Sequence, residues 1–236
     1  MKKFIIEQGF FDIFPDAKLG IVVCKGINNN IIDENKYKYL LDESYKIVPS
    51  HLPNPDFSSN NVIKVYREAF QKFKTKKGAR SSIEALLKRV NNGGTIGNIN
   101  PLVDIYNSVS LKYALPCGGE DIDEFLGDIR LTLANGTESF ITLGSDKSEP
   151  PYENEIVYKD NEGAICRCLN WRECVRTILT EKTKNAFLCI ELIDTDRIDI
   201  LNVALMELKT LIDTNLGGVS EIEILDINNR EIIIEE

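Results

Sequence analysis

The chain has 236 residues, 43% of them hydrophobic and 28% charged, which suits a soluble globular protein long enough to bury a sizeable core without staples. Its net charge of −9 excludes a sequence-blind polyanion binder, so any RNA contact has to be local. No apolar run reaches membrane-span length, Met1-Lys2-Lys3-Phe4 leads to Glu7 rather than a signal-peptide core, and the six irregularly spaced cysteines read as reduced thiols, so no membrane contact and a cytoplasmic location are expected.

Phe4–Phe14 is aromatic and apolar and closes on Asp12 and Pro15. Leu19–Ile27 is a β-branched run ended by Asn28-Asn29-Asn30, the mark of a buried, central strand. Asp33–Ile47 carries Tyr37, Leu40, Leu41 and Tyr45 at helical spacing. Pro49, Pro53 and Pro55 then predict an extended connection through Asp56, the one linker in the chain. Asn60–Phe73 reads as an amphipathic helix, and Ser81-x-x-Glu84 is a capping box for another helix ending at Val90. Asn91–Asn98 is a Gly- and Asn-rich loop.

Asn100 is a good N-cap and Pro101 suits the first helical position. The helix they start carries one stripe of Leu102, Ile105, Tyr106, Val109 and Tyr113 and a second of Asp104, Asn107, Ser108 and Leu111. One stripe faces a core; the other faces water or a pocket. After Pro116, Cys117-Gly118-Gly119-Glu120-Asp121 reads as a glycine-rich corner with accessible backbone amides. Strands are expected at Asp128–Leu133, Ser139–Leu143, Glu155–Tyr158, Ala164–Leu169 and Ala186–Ile193, with turns at Asn135-Gly136 and Asp160–Gly163 and a surface excursion at Ser148–Pro151. Asp196–Leu211 is a helix with Ile200, Val203, Ala204 and Leu208 inward, stopped by Gly217-Gly218. Glu221–Leu225 and Glu231–Ile234 around Asn228-Asn229 predict a final hairpin. The fold class is α+β, a mixed and mainly antiparallel sheet with flanking helices.

Residue chemistry narrows the function. His51, the only histidine, lies among prolines and is expected on the surface, leaving no Cys-His or Ser-His-Asp arrangement. Cys166, Cys168 and Cys174 lack a CxxC pair or a second histidine and read as buried thiols, so no metal and no cofactor are expected. Gly118-Gly119 belongs to no phosphate-binding motif. It is a tight corner or a nest of amides for a ligand oxyanion. Lys72, Lys74, Lys76, Lys77 and Arg80 either meet a handful of phosphates or form solvated helix ends. Trp171 between Asn170 and Arg172 either stacks on a base or substrate ring or packs in the core. Cys117 has no base or cation evident beside it and is not expected to act as a nucleophile.

The run Ile99-Asn100-Pro101-Leu102-Val103-Asp104-Ile105-Tyr106-Asn107-Ser108-Val109-Ser110-Leu111, with Pro116 and Asp121, resembles the tRNA-binding and editing domain of the bacterial phenylalanyl-tRNA synthetase beta subunit. Gly127–Leu131, Gly136-Thr137-Glu138 and Thr183-Lys184-Asn185 follow in a similar order. The family's histidine falls on Gly118, its threonine on Tyr106 and its glutamate on Cys189, with Glu191 two residues on. Asn170-Trp171-Arg172 stands in for its Gly-Gly segment. The resemblance implies one domain over residues 1–236, with a core at about 82–192 and elaborations at 1–80 and 193–236.

It also implies a free-standing relative that binds tRNA and hydrolyses a mischarged aminoacyl ester, tyrosine on phenylalanine tRNA, with the amino-acid moiety as its small ligand. Asn107 and Glu191 would be catalytic. Asp104, Tyr106, Cys117, Gly118, Gly119, Glu120, Asn170, Trp171 and Arg172 would bind substrate, and Lys74, Lys76, Lys77 and Arg80 would bind RNA. Glu191 either ends its strand in the open or lines the pocket. A non-catalytic tRNA or amino-acid binding module, and a small-molecule ester or amide hydrolase unrelated to tRNA, are the alternatives; oligomeric state is not legible.

Overall fold

A computed structural model describes residues 1–33 and 35–236. The elements in order are β1 (Lys2–Ile6), α1 (Gln8–Ile13), β2 (Lys18–Lys25), α2 (Lys38–His51), α3 (Asn61–Ala69), α4 (Ser82–Asn91), α5 (Pro101–Tyr113), β3 (Cys117–Asp121) and β4 (Ile129–Leu133). Then come β5 (Ile156–Lys159), β6 (Ala164–Arg167), β7 (Arg172–Glu173), β8 (Ala186–Leu192), α6 (Ile198–Leu216), β9 (Val219–Leu225) and β10 (Glu231–Glu235). The α+β class is as expected, but the strands divide into two sheets, ordered β10-β1-β4-β5-β6-β7 and β3-β8-β2-β9. Among these strands every pairing is antiparallel except β1 with β4.

The small sheet lies between two cores, which explains why β2 and β8 are apolar along their whole length. Leu19, Ile21 and Val23 of β2 and Phe187 and Cys189 of β8 face the large sheet and share a core with Phe4, Ile129 and Tyr158. Val22 and Cys24, with Leu188 and Ile190, face α5 and α6. With both its faces covered, β2 sits centrally as expected, and Gly20 accepts the α6 side chains Leu201 and Leu205, which would lie within 2.9 Å of an added Cβ. A third cluster joins α2, α3 and α4 through Leu41, Ile63, Tyr66, Ile83 and Leu87.

The helix starts follow the sequence closely. Asn100 accepts from the Val103 N–H at 3.1 Å and Ser81 from the Glu84 N–H at 3.4 Å, each satisfying an orphan donor. The Glu84 carboxylate does not complete a capping box; it takes a two-pronged bond from Arg67 of α3. α5 is buried on nearly every side from Pro101 to Leu111.

Several expectations need correction. Pro49 lies inside the last turn of α2, where little helix remains to disrupt, so no extended linker begins there; the expected start of that helix includes Glu34, outside the described residues. Ser139–Leu143 forms a single bridge, Ser139 to Gly163, and no strand. Ile200 and Val203 of α6 point outward, and Leu201, Leu205 and Ile212 are inward with Ala204 and Leu208. β9 and β10 are not a hairpin: one pairs with β2 and the other with β1, so Asn228-Asn229 carries the chain between sheets.

The largest correction concerns the glycine-rich corner. Cys117–Asp121 is a buried strand paired with β8, in register Gly118 to Cys189 and Gly119 to Leu188, so it offers a ladder rather than a nest of amides. Its glycines serve close approach. A Cβ at Gly118 would lie 2.3 Å from the Asn170 side-chain oxygen, and one at Gly119 would lie 2.3 Å from Leu188.

Candidate functional site

A cavity of about 530 Å³ opens between α4, α5, β3 and the turn joining β6 to β7. Tyr106 and Asn107 reach it from α5, Cys117 and Gly119 from β3, and Asn170, Trp171, Arg172 and Glu173 from the turn and β7. Ser82, at the start of α4, and Leu143, at the tip of the excursion after β4, complete its wall.

The turn is held in an unusual shape. Cys168 and Leu169 are consecutive non-glycine residues with φ of 49° and 59°, left-handed geometry that costs roughly 1–2 kcal/mol per residue. Neighbours pin it from several sides. The Cys166 thiol donates to the Leu169 carbonyl at 3.0 Å, the Cys168 thiol to Glu155 at 3.2 Å, and the Asn170 N–H to Glu191 at 3.4 Å. Glu155 is itself fully buried and takes two bonds of 2.7 Å from Arg167. The turn thus delivers the Asn170 carboxamide against the bare Cα of Gly118 and presents the Trp171 ring, with the Arg172 guanidinium 5.2 Å above it.

Tyr106 and Asn107 are each only 7% exposed, yet neither side chain has a hydrogen-bond partner among the described residues. The Ser82 hydroxyl is likewise buried and unpartnered. Buried polar groups are ordinarily paired, so this wall has unused capacity for a polar ligand.

Two carboxyls stand together on one side. Glu173 lines the cavity; burial raises its pKa to about 7. Glu120, fully enclosed behind it, accepts from the Thr177 hydroxyl at 2.6 Å. Burial holds the Glu120 carboxyl well above its usual range, and the neighbouring Glu173 charge pushes it further. Sequence reasoning missed Glu173, because an acid beside Arg172 at a strand end carries no periodic signal.

The remaining expected site residues fall as follows. Glu191 does not line the cavity. It is 1% exposed and faces the inter-sheet core, accepting from the Tyr158 hydroxyl at 2.8 Å; burial raises its pKa to about 8. Period-two alternation along β8 puts it on the Cys189 side, as anticipated, but that side is covered. Asp104 lines a separate cavity of about 180 Å³ near Tyr37 and Asn98 and accepts from the Ile99 N–H at 3.1 Å. Gly118 is screened by Asn170, and Glu120 is buried and does not line the cavity.

Burial pushes the Cys117 thiol far up, and all six cysteines are buried. No group of three or more His, Cys, Asp or Glu among the described residues could hold a metal ion. His51 is half-buried at the end of α2, against the Lys112 carbonyl at 2.9 Å, and burial lowers its pKa; it takes no part in the cavity. In the basic cluster, Lys76 is paired with Glu149 and Lys74 sits 5.5 Å over the Tyr152 ring, while Lys77 and Arg80 are exposed without a carboxylate partner among the described residues. No helix among the described residues is long and apolar enough to cross a membrane.

Residues 65–210 match the model of the B3/4 domain family. No curated protein matches the chain. Seventeen chains of solved structures match. One, an N-terminal fragment of the phenylalanyl-tRNA synthetase beta subunit from Pyrococcus horikoshii, is 14% identical over 92% of this chain and 49% of its own length, with a TM-score of 0.43. The chain therefore spans about half the length of that fragment.

Proposed function

The chain belongs to the B3/4 domain family, and from that premise we propose that its cavity receives the aminoacyl end of a charged tRNA and promotes hydrolysis of a mischarged ester, tyrosine on phenylalanine tRNA. The observation that carries this reading is the α5 wall. It belongs to the tract with the sequence resemblance, and it presents Tyr106 and Asn107 nearly buried and without partners.

An aminoacyl ester is already activated, so a site that orients the ester and a water can suffice without a side-chain nucleophile. Asn107 and Asn170 supply amide donors and acceptors for that orientation. Trp171 and Arg172 offer a flat cationic surface for the amino-acid ring or the terminal base. Glu191 acts through Asn170, whose N–H it accepts, and is a positioning residue. Cys117, with its thiol held protonated by burial, contributes wall and no nucleophile, so Cys117→Ser leaves hydrolysis largely intact. A polar wall is suited to choosing tyrosine over phenylalanine, since sites built to bond a hydroxyl reject the analogue lacking it by about 10⁴ or more. Lys77 and Arg80 would meet phosphates locally, as the acidic net charge requires.

The test is release of amino acid from mischarged tRNA by the purified chain and by Asn107→Ala, with binding measured at two salt concentrations. The variant is expected to lose about 10- to 100-fold in rate. Wild-type rates from a well-folded Asn107→Ala protein would remove the α5 wall from catalysis. Salt-dependent binding without release would make the chain a tRNA-binding module instead.

A further inference from the structure

We propose that Glu173, backed by Glu120, is the counter-ion for a protonated primary amine, so that the cavity selects ligands carrying a free ammonium group. This rests on reading the cavity as an aminoacyl site and specifies which part of an aminoacyl group it recognises.

The first observation is where the carboxyl is and what it lacks. Glu173 lines the cavity and has neither a hydrogen bond nor an ion pair for its side chain among the described residues. The Glu120 carboxyl beside it bonds Thr177 and, held protonated by burial and by the Glu173 charge, supplies no cation to that carboxylate. Arg176, the cation that acts on Glu120, is committed elsewhere, to Asp160 at 2.8 Å and the Glu124 carbonyl at 2.7 Å. A half-enclosed carboxylate with no cation of its own is costly unless a ligand supplies one.

The second observation is independent of the acids. Asn107, more than nine-tenths buried on the opposite wall, points an unpartnered carboxamide into the same space. A carbonyl beside the amine would accept from its NH₂, while the ammonium donates to Glu173. One small group bearing both, an α-amino acid ester or amide, satisfies both walls together.

The pH dependence follows from the groups around the pair. They are Tyr106 from α5, Cys117 and Glu120 from β3, Cys166 from β6, and Arg172, Cys174 and Arg176 in the segment around and after Glu173. Burial keeps the Cys117 and Cys166 thiols and the Tyr106 phenol neutral, so the pair of carboxyls dominates the titration. With Glu173 near 7, an ammonium that favours its charged form displaces a proton on binding. Affinity should rise as pH approaches about 7 and fall once the ligand amine deprotonates near about 8.

Calorimetry with L-tyrosinamide and with its desamino analogue 3-(4-hydroxyphenyl)propanamide tests this, in two buffers of different ionisation enthalpy. The wild type is expected to bind the amine about 10- to 100-fold more tightly and to release a proton. Glu173→Gln should erase that preference and the acid-side rise while leaving the desamino affinity unchanged, which also reports an intact cavity. Equal binding of the two compounds by the wild type, or a preference surviving in Glu173→Gln, overturns the inference and leaves the aminoacyl reading standing. Binding of neither compound overturns both. If Glu173→Gln fails to fold, the wild-type contrast and its pH profile decide.

Discussion

Strand β6 separates two glutamate sites that the fold treats in opposite ways. Arg167 turns to one side and meets Glu155, and both side chains are almost wholly out of solvent. Cys166, the residue before it, turns to the other and lies near Glu120 and Glu173, which face no committed cation. The first site is saturated: Arg167 spends Nε and Nη2 on Glu155 and Nη1 on the Glu149 carbonyl. The second is left open on the cavity side. A buried charge that is fully bonded holds the turn together, whereas one that is left wanting is disposed to take a ligand.

The contrast can be broken at its saturated end first. Arg167→Met leaves the Glu155 carboxylate buried and unpaired, and should cost roughly 3–5 kcal/mol in urea unfolding. Glu173→Gln should stay within about 1 kcal/mol of wild type. Equal losses would erase the distinction between the two sites.

Glu191 sharpens the comparison, since it is enclosed like Glu155 but has only neutral partners. Its folded pKa of about 8 lies above the unfolded value of about 4.3. Its contribution to stability is intact below the unfolded pKa and declines as pH rises through the folded one. The slope approaches about 1.4 kcal/mol per pH unit between these limits. Glu191→Gln should be less pH-dependent than wild type across that window, and chemical denaturation at several pH values measures the difference. Parallel curves would mean that Glu191 stays ionised in the fold.

A smaller effect on stability, with a larger one on the site, is expected from Gly118→Ala. The new Cβ collides with the end of the Asn170 side chain, which can swing aside, so unfolding free energy should drop by about 1–3 kcal/mol. Hydrolysis should fall about tenfold or more. Full activity would release Asn170 from the site.

The smallest expected effect again compares occupied with unoccupied charges. Lys77→Ala with Arg80→Ala should lower the salt slope of tRNA binding by about 1–2. Lys76→Ala should change it less, because Glu149 already holds that ammonium. A larger change for Lys76 would reverse the assignment.

What was legible in the chain is what local chemistry decides. Asn100-Pro101 and Ser81 announce helix starts because a cap needs only its own turn, and the β-branched run of β2 marks a strand buried on both faces. The family relationship anticipated from the Asn100–Asp121 tract holds, since residues 65–210 match the B3/4 domain family. Gly118-Gly119 misled because a glycine required for close approach looks the same in sequence as one required for a positive φ. Asn228-Asn229 misled because a turn motif does not say whether its two strands share a sheet. The cavity wall from Asn170 to Glu173 depends on a left-handed turn of Cys168 and Leu169, which no residue preference would suggest.

The order of strands also bears on how the chain reaches this state. β2 waits for β8 and β9, whose first residues are Ala186 and Val219, and β1 pairs with β4 and β10. Contacts so distant in sequence make folding slow. During synthesis the Leu19–Cys24 run remains without its sheet partners until most of the chain has been made, so the nascent protein carries a sticky segment through that interval.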